Sequence, residues 1–354
     1  MPLISVVVLA YNISAYLPNC LRSVASQTLR DFEAIIVDDG STDNTGLIAE
    51  RFCATDPRFR LIQNKKNLGT FISRRTGVAA SISPHFCIID GDDCLAKDYL
   101  AMLYAATSEA DSDVTECAAV AVTMAGEVTT VPQSEYSPRK LQGFSIAGAS
   151  LRGAIWHVTW NKLFSRNLFL QALPLLETID DHVIVCDDKL FTMTLLLFAQ
   201  LFIRVDRVGY FYRIRRGSAT HGISSETRLR HVEDTLLVDK RLLGILKAGD
   251  LPTGLLRSMQ RNHRREIKRL HALLRFAPPS DPMRALLAQD SNANSRHIRS
   301  PSSNRVATRA IHCITPERRP GDYFHFIRNI IARRLWIARH GSTAREAVQI
   351  EPGD

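Results

Sequence analysis

The 354-residue chain lacks the features that mark several common protein classes. Its seven cysteines are scattered, odd in number and form no C-x-x-C pair. A zinc framework and a disulfide scaffold are thereby disfavoured, and the thiols read as free and buried in a reducing compartment. No Gly-Lys dipeptide occurs, so there is no P-loop, and no G-x-G-x-x-G follows any expected strand, which disfavours a dinucleotide oxidoreductase. No basic segment precedes the first apolar run, Leu3–Ala10. That run is short, β-branched and ends in Tyr-Asn, so it reads as a strand and not as a signal peptide. The longest apolar stretch, Leu190 to Ile203, is bounded by Lys189 and Arg204. It falls short of the roughly 20 residues that span a bilayer and reads as a buried helix. The expected location is cytoplasmic, with any membrane contact peripheral.

What is present is an ordinary globular composition, 45% hydrophobic and 23% charged. The net charge of +9 is unevenly placed. Residues 1–223 carry 21 basic and 23 acidic side chains, whereas residues 224–354 carry 24 and 13. The basic excess, which alone would suggest a nucleic acid or an anionic membrane as partner, therefore belongs to the last third.

The first 120 residues alternate strand and helix patterns. Short apolar runs at Ile4–Ala10, Ala34–Val37, Arg60–Gln63 and Phe86–Ile89 are separated by helical spacings at Tyr16–Ser26, Thr45–Thr55 and Thr70–Ser81, and followed by Lys97–Ser108. That order implies an α/β fold with an open, mostly parallel sheet flanked by helices. Val114–Thr123 and Val128–Val131 suggest a hairpin. Helical patterns dominate from Phe144 to Ile203, before a strand at Val208–Tyr212. A boundary is expected near 223. Beyond it lie a helical extension over 224–276, a loosely ordered linker over 277–322 rich in Pro, Ser, Asn and Arg, and a basic segment over 323–354. Within the last, Tyr323–His340 is amphipathic, with aromatic and aliphatic residues on one side and Arg and His on the other. Such a helix suits an anionic bilayer surface or the enzyme's own core.

Two acidic clusters sit at expected strand ends, Asp38-Asp39-Gly40-Ser41 and Asp90-Gly91-Asp92-Asp93. Either alone reads as a turn. Together they bring five carboxylates to the sheet edge where open α/β folds bind ligands, and such groups repel one another without a neutralising partner. Asp90 and Asp92, two residues apart in extended chain, face one side, and Gly91 permits close approach to the backbone. Oxygen ligands of this kind suit Mn²⁺ or Mg²⁺, ions that bridge phosphates and so point to a nucleoside diphosphate.

The runs SVVVLAYN (Ser5–Asn12), VDDGSTDNT (Val37–Thr45), NLGTFISRRTG (Asn67–Gly77) and DGDD (Asp90–Asp93), in this order and spacing, resemble the N-terminal half of a family 2 glycosyltransferase of GT-A fold. The resemblance covers about residues 3–120 and continues more loosely to about 221. It implies that Ala10 and Tyr11 contact base and ribose, that Asp39 accepts a hydrogen bond from the base with Asp38 beside it, and that Arg74 lies near the diphosphate. It further implies that Asp90 and Asp92 form the D-x-D pair, Asp92 as metal ligand and Asp90 as ribose or metal contact, with Asp93 supporting the loop. Leu9 stands where relatives usually have Pro, and Arg75 where they often have Asn; Arg75 is expected to point to solvent. WNKLFSR (Trp160–Arg166) resembles an acceptor-side segment. Asp188 resembles the catalytic base, with Asp187 as the substitute candidate and Asp180 and Asp181 as neighbours in the preceding loop. On local grounds the two acids serve equally well as first-turn residues of a helix. YRIRRGSATH (Tyr212–His221) resembles a segment that closes over the diphosphate, with Arg213, Arg215 and Arg216 offsetting phosphate charge and His221 a further candidate metal ligand.

The resemblance thus implies an inverting, metal-dependent glycosyltransferase that uses a nucleotide-sugar, expected to be a UDP-sugar. The acceptor would be a glycan or lipid-linked hydroxyl in cell-envelope polysaccharide synthesis. Two rivals stand beside it: a metal-dependent nucleotidyltransferase sharing the sheet and carboxylates, and a nucleic-acid binder acting through the basic tail. The second is disfavoured because the N-terminal half offers carboxylates where phosphates would sit.

Overall fold

A computed structural model describes residues 1–123, 126–130, 138–215, 225–249 and 251–273, together with Arg284 and Leu287. The expected linker over 277–322, the amphipathic segment over 323–340, Arg216 and His221 lie outside these residues.

The N-terminal half is built from strands β1 (Ile4–Ala10), β2 (Phe32–Asp38), β3 (Phe59–Gln63) and β4 (His85–Asp90). They are joined by helices α1 (Leu17–Ala25), α2 (Thr45–Thr55) and α3 (Thr70–Ala79). All three pairings among these strands are parallel, and their order is β3-β2-β1-β4. The chain runs outward from β1 on one side and returns to β4 on the other. The β1/β4 junction is therefore a topological switch point, where the crossover helices diverge and leave a crevice at the strand ends.

Beyond β4 come β5 (Cys94–Leu95), α4 (Tyr99–Ala110), β6 (Val114–Val122), β7 (Val128–Thr130), β8 (Lys140–Gln142) and α5 (Phe144–Leu151). They are followed by β9 (Lys162–Ser165), α6 (Arg166–Leu176), α7 (Asp187–Leu196) and β10 (Leu201–Arg213). β6 and β10 pair in parallel, and the short β9 runs antiparallel between β4 and β6, splicing this half onto the first. The expected hairpin is β6–β7. The apolar stretch Leu190–Ile203 divides: its first part is the buried end of α7, and its last residues open β10. Period alone does not separate a buried helix from a buried strand.

Both faces of the sheet are covered, so β1, β2 and β6 are buried on every residue and mostly apolar. Val7 and Leu9 of β1 belong to a core with α3, α5, α6 and α7, while Val6 and Val8 pack with α1 and α4 on the other face. The first core runs on into α8 (Ser225–Ala248) and α9 (Thr253–Leu273) through Val238, Leu242, Leu246, Leu255 and Met259. Among the described residues no helix is long and apolar enough to cross a membrane.

One buried charge cluster locks the splice. Glu116 of β6 and Lys162 of β9 are fully buried and 3.0 Å apart, and Arg204 of β10 reaches Glu116 at 3.3 Å. Burial pulls the Lys162 pKa down and the Glu116 charge pulls it back. The Lys162 ammonium also donates to the Val158 carbonyl and to Asn161 Oδ1. Removing the shared anion strands the Lys162 ammonium in the core and leaves Arg204 to Asp206, 3.0 Å away. Glu116→Ala is expected to destabilise by about 3–5 kcal/mol, read as a lower urea midpoint at unchanged slope. A midpoint equal to wild type would show that the cluster contributes nothing.

Candidate active site

A cleft of about 610 Å³ opens at the carboxyl ends of β1 and β4. Leu9, Ala10, Tyr11, Asp39, Thr70, Ser73, Arg74, Asp90, Gly91 and Asp92 line one side. Trp156, His157, Trp160, Cys186, Asp187, Asp188, Tyr212 and Arg215 also line it. Of the residues expected from the sequence, Ala10, Tyr11, Asp39, Arg74, Asp90, Asp92, Asp187 and Asp188 are thus brought together. Asp38 is not among them. It is fully buried, accepts from Ser41 N–H at 3.1 Å and Gln63 Nε2 at 3.0 Å, and so shapes the turn after β2.

Asp39 is committed to the loop that precedes α3. Its Oδ1 accepts from Asn64 Nδ2 at 2.8 Å and Leu68 N–H at 2.9 Å, and its Oδ2 from Gly69 N–H at 2.9 Å. Gly40, at φ +73°, makes the tight turn that lets Lys66 lie against it. Gly91 lines the cleft and has a packing role beside the expected one. The room where a Cβ would stand is occupied by the Leu9 carbonyl and the Ile13 side chain, so its small size also serves packing within the chain.

The DGDD turn is held from β10. Asp93 is buried and accepts from the Tyr210 hydroxyl and the Arg213 N–H, both at 2.7 Å. The Arg213 guanidinium donates to the Asp92 carbonyl at 2.8 Å, and Arg215 Nε donates to the Asp92 carboxylate at 2.5 Å. Arg213 is therefore part of the scaffold, whereas Arg215 neutralises the acid expected to hold a metal. Burial, then the Asp92 charge, pushes the Asp90 carboxyl up to about 7. Two oxygen-donor carboxylates, one of them made costly to ionise, fit a hard divalent cation that keeps further positions for water and phosphate. Among the described residues no group of three or more His, Cys, Asp or Glu forms a complete cage.

On the facing side, α7 begins with Asp187 and Asp188 after Cys186, whose φ of +60° turns the chain sharply into the helix. Asp187 is buried and forms an ion pair with Arg74 of α3. Burial raises its pKa to about 6, against the opposing pull of Arg74. Asp188 is half-buried and accepts from Lys189 N–H at 2.8 Å, with its pKa also raised chiefly by burial.

Arg75 differs from expectation. It does not point to solvent but donates to the carbonyls of Leu176 at 2.7 Å and Ile179 at 3.0 Å, satisfying the end of α6. The sequence reading missed the aromatic wall, in which Trp160 stacks on Tyr210 at 4.5 Å and on Tyr212 at 5.8 Å, and Trp156 meets Trp160 edge-on. The WNKLFSR run contained its central residue. The alternation of Tyr210 and Tyr212 along a strand was the signal for the rest.

With this geometry in place, comparison with known proteins gives a consistent picture. Residues 5–171 match the model of glycosyl transferase family 2. This segment is a family 2 glycosyltransferase domain. The uncharacterized glycosyltransferase EpsJ of Bacillus subtilis is 30% identical over 227 residues, 62% of this chain and 63% of EpsJ. The chain therefore spans somewhat less than two thirds of that relative. Among solved structures, S. aureus TarS 1-349 in complex with UDP-GlcNAc aligns over 74% of this chain and 72% of its own, with TM-score 0.59 and 23% identity. The mannosyltransferase PcManGT of Pyrobaculum calidifontis, in complex with GDP-Man and Mn²⁺, aligns over 82% and 80%, with TM-score 0.51 and 17% identity. These likenesses show that the glycosyltransferase domain has the GT-A-type fold, an α/β sheet flanked by helices.

The raised Asp90 pKa has a measurable consequence for metal-free protein. A carboxyl shifted from 3.8 to about 7 binds its proton more tightly folded than unfolded. Its destabilising contribution is absent below pH 4 and grows as pH rises to about 7. In EDTA, the Tm of Asp90→Asn minus that of wild type is expected to increase between pH 4.5 and pH 7.5. A difference that does not change with pH would contradict the assignment.

Proposed function

We propose that the chain is a metal-dependent, inverting glycosyltransferase. It transfers a glycosyl group from a nucleotide-sugar, by preference a UDP-sugar, to a hydroxyl of a glycan or lipid-linked acceptor in cell-envelope polysaccharide synthesis. The observation that carries this reading is that Asp39 after β2 and Asp90 and Asp92 at the end of β4 line the same cleft as Asp188.

In this reading Ala10, Tyr11 and Asp39 bind the nucleoside. Asp92 and Asp90 would hold Mn²⁺ or Mg²⁺, which would supply charge stabilisation to a diphosphate. Arg74 is already engaged by Asp187, so the pair sets the cleft wall and leaves Asp188 as the base. Asp188 takes the proton of the acceptor hydroxyl as its oxygen forms a bond to the anomeric carbon. The anomeric carbon–phosphate oxygen bond breaks, and the electron pair leaves with the nucleoside diphosphate. Arg215, released from Asp92, is placed to meet that charge. His221 retains its place as a candidate further ligand from the sequence alone.

Incubation with UDP-, GDP- and dTDP-sugars and Mn²⁺ is expected to release a free nucleoside diphosphate from one donor. Release of pyrophosphate would mark a nucleotidyltransferase instead. Asp188→Asn is expected to keep donor affinity and lose roughly 10²–10⁴-fold in kcat. Because Asp188 must be ionised to act and its pKa is raised, wild-type kcat should fall with decreasing pH on a limb above the ordinary carboxylate range. Wild-type turnover in Asp188→Asn would remove the base assignment.

A further inference from the structure

The segment that leads into Asp187 and Asp188 is fastened almost residue by residue, and most of the fastenings come from one helix, α8. Arg241 grips Asp181 with two bonds of 2.7 and 3.0 Å. Arg230 donates to the His182 carbonyl at 2.7 Å and meets its ring Nδ1 at 2.9 Å. One oxygen of Asp234 accepts from both the Ile184 and Val185 N–H groups, at 3.0 and 2.9 Å. Thr235 meets the Cys186 thiol, and Asp239 binds Lys189 at 2.5 Å. Arg230, Asp234 and Arg241 are spaced to share an arc of about 40° on a helix of 3.6 residues per turn.

Asp234 is the central fastening. It is 3% exposed, ion-paired to Arg230 at 3.2 Å, and spends a buried carboxylate on two backbone N–H groups immediately before Cys186. Charge-assisted bonds of this kind are strong and directional. Cys186 occupies the left-handed region, which a non-glycine residue leaves readily unless both sides are held. The chain is held before it by Asp234 and after it by the α7 hydrogen bonds and the Arg74–Asp187 pair. The fastened segment itself reaches the opposite loop, since His182 Nε2 lies 2.9 Å from Asn67 Oδ1, beside Asp39's partner Gly69.

We propose that Asp234 is a positioning residue for the Asp187–Asp188 pair, and that α8 is thereby a working part of the active site although it lies outside the matched family segment. The role in turnover rests on the glycosyl-transfer reading above; the fastening of the backbone does not.

The test compares Asp234→Ala, which removes both bonds, with Asp234→Asn, whose side-chain carbonyl oxygen can still accept both N–H groups. In full-length protein, hydrogen exchange at the Ile184 and Val185 amides should accelerate in Asp234→Ala and stay near wild type in Asp234→Asn. With the donor that wild type turns over, kcat should fall by about 10²-fold in Asp234→Ala, the scale set by a misplacement of about 1 Å. Donor KM should change by less than about threefold, and Asp234→Asn should recover most of the lost kcat. Should the Ala variant not fold, Asp234→Ser, too short to span the gap, carries the same expectation. Wild-type kcat in Asp234→Ala, or an Asp234→Asn enzyme as impaired as the Ala variant, would overturn the proposal. If wild type releases nucleotide from no donor, the glycosyl-transfer reading fails instead. Exchange at 184 and 185 then still decides whether Asp234 holds this backbone.

Discussion

Repulsion between carboxylates governs the architecture of this cleft. Asp39, Asp90, Asp92, Asp187 and Asp188 line a single cavity, and burial pushes up the pKa of Asp90, Asp187 and Asp188. The structure answers each acid differently. Asp39 is held by backbone and amide donors, Asp187 by Arg74, and Asp92 by Arg215, while Asp188 takes one N–H of its own helix. The Asp90 carboxyl is pushed up to about 7, chiefly by burial and then by the Asp92 charge. The sheet, the turn glycines and the β10 arginines can be read as the means of holding these partners in place. A substrate bringing both phosphates and a cation would complete the neutralisation that the protein leaves unfinished.

The division of labour between the arginines follows from burial. Arg74 and Arg213 are 3% exposed and are spent on internal partners. Arg215 is reachable and holds a carboxylate that a metal would also claim. A cation with solvent access can exchange partners at little cost, whereas a buried one that loses its partner is stranded.

Much of this was legible in the sequence. The alternation of short apolar runs with helical spacings located β1 to β4 and α1 to α4, because β1, β2 and β4 are covered on both faces and each helix on one. The Asp clusters located one wall because strand ends of a parallel sheet converge. What sequence could not reveal depended on partners distant in the chain. Arg75 turns inward because α6 ends beside it. β9 pairs antiparallel because Lys162 has Glu116 to meet, and a period-based reading of Phe144–Ile203 as mainly helical passes over four such residues. The α8 contacts to 181–189 join positions about 50 residues apart, with no local signature at either end. The expectations for His221 and for the tail fall on residues outside those described.

The pairing of β6 with β10 has a practical corollary. β6 is buried along its whole length, Val114 to Val122, and one flank is covered by a strand that ends only at Arg213. A shortened protein that stopped after the segment matched to the family, at residue 171, would leave that flank as an open apolar edge. Such an edge is a template for pairing with other chains. The smallest unit that can be expected to stay dispersed in solution thus extends past β10. One that also keeps its second pair of acids fixed extends through α8.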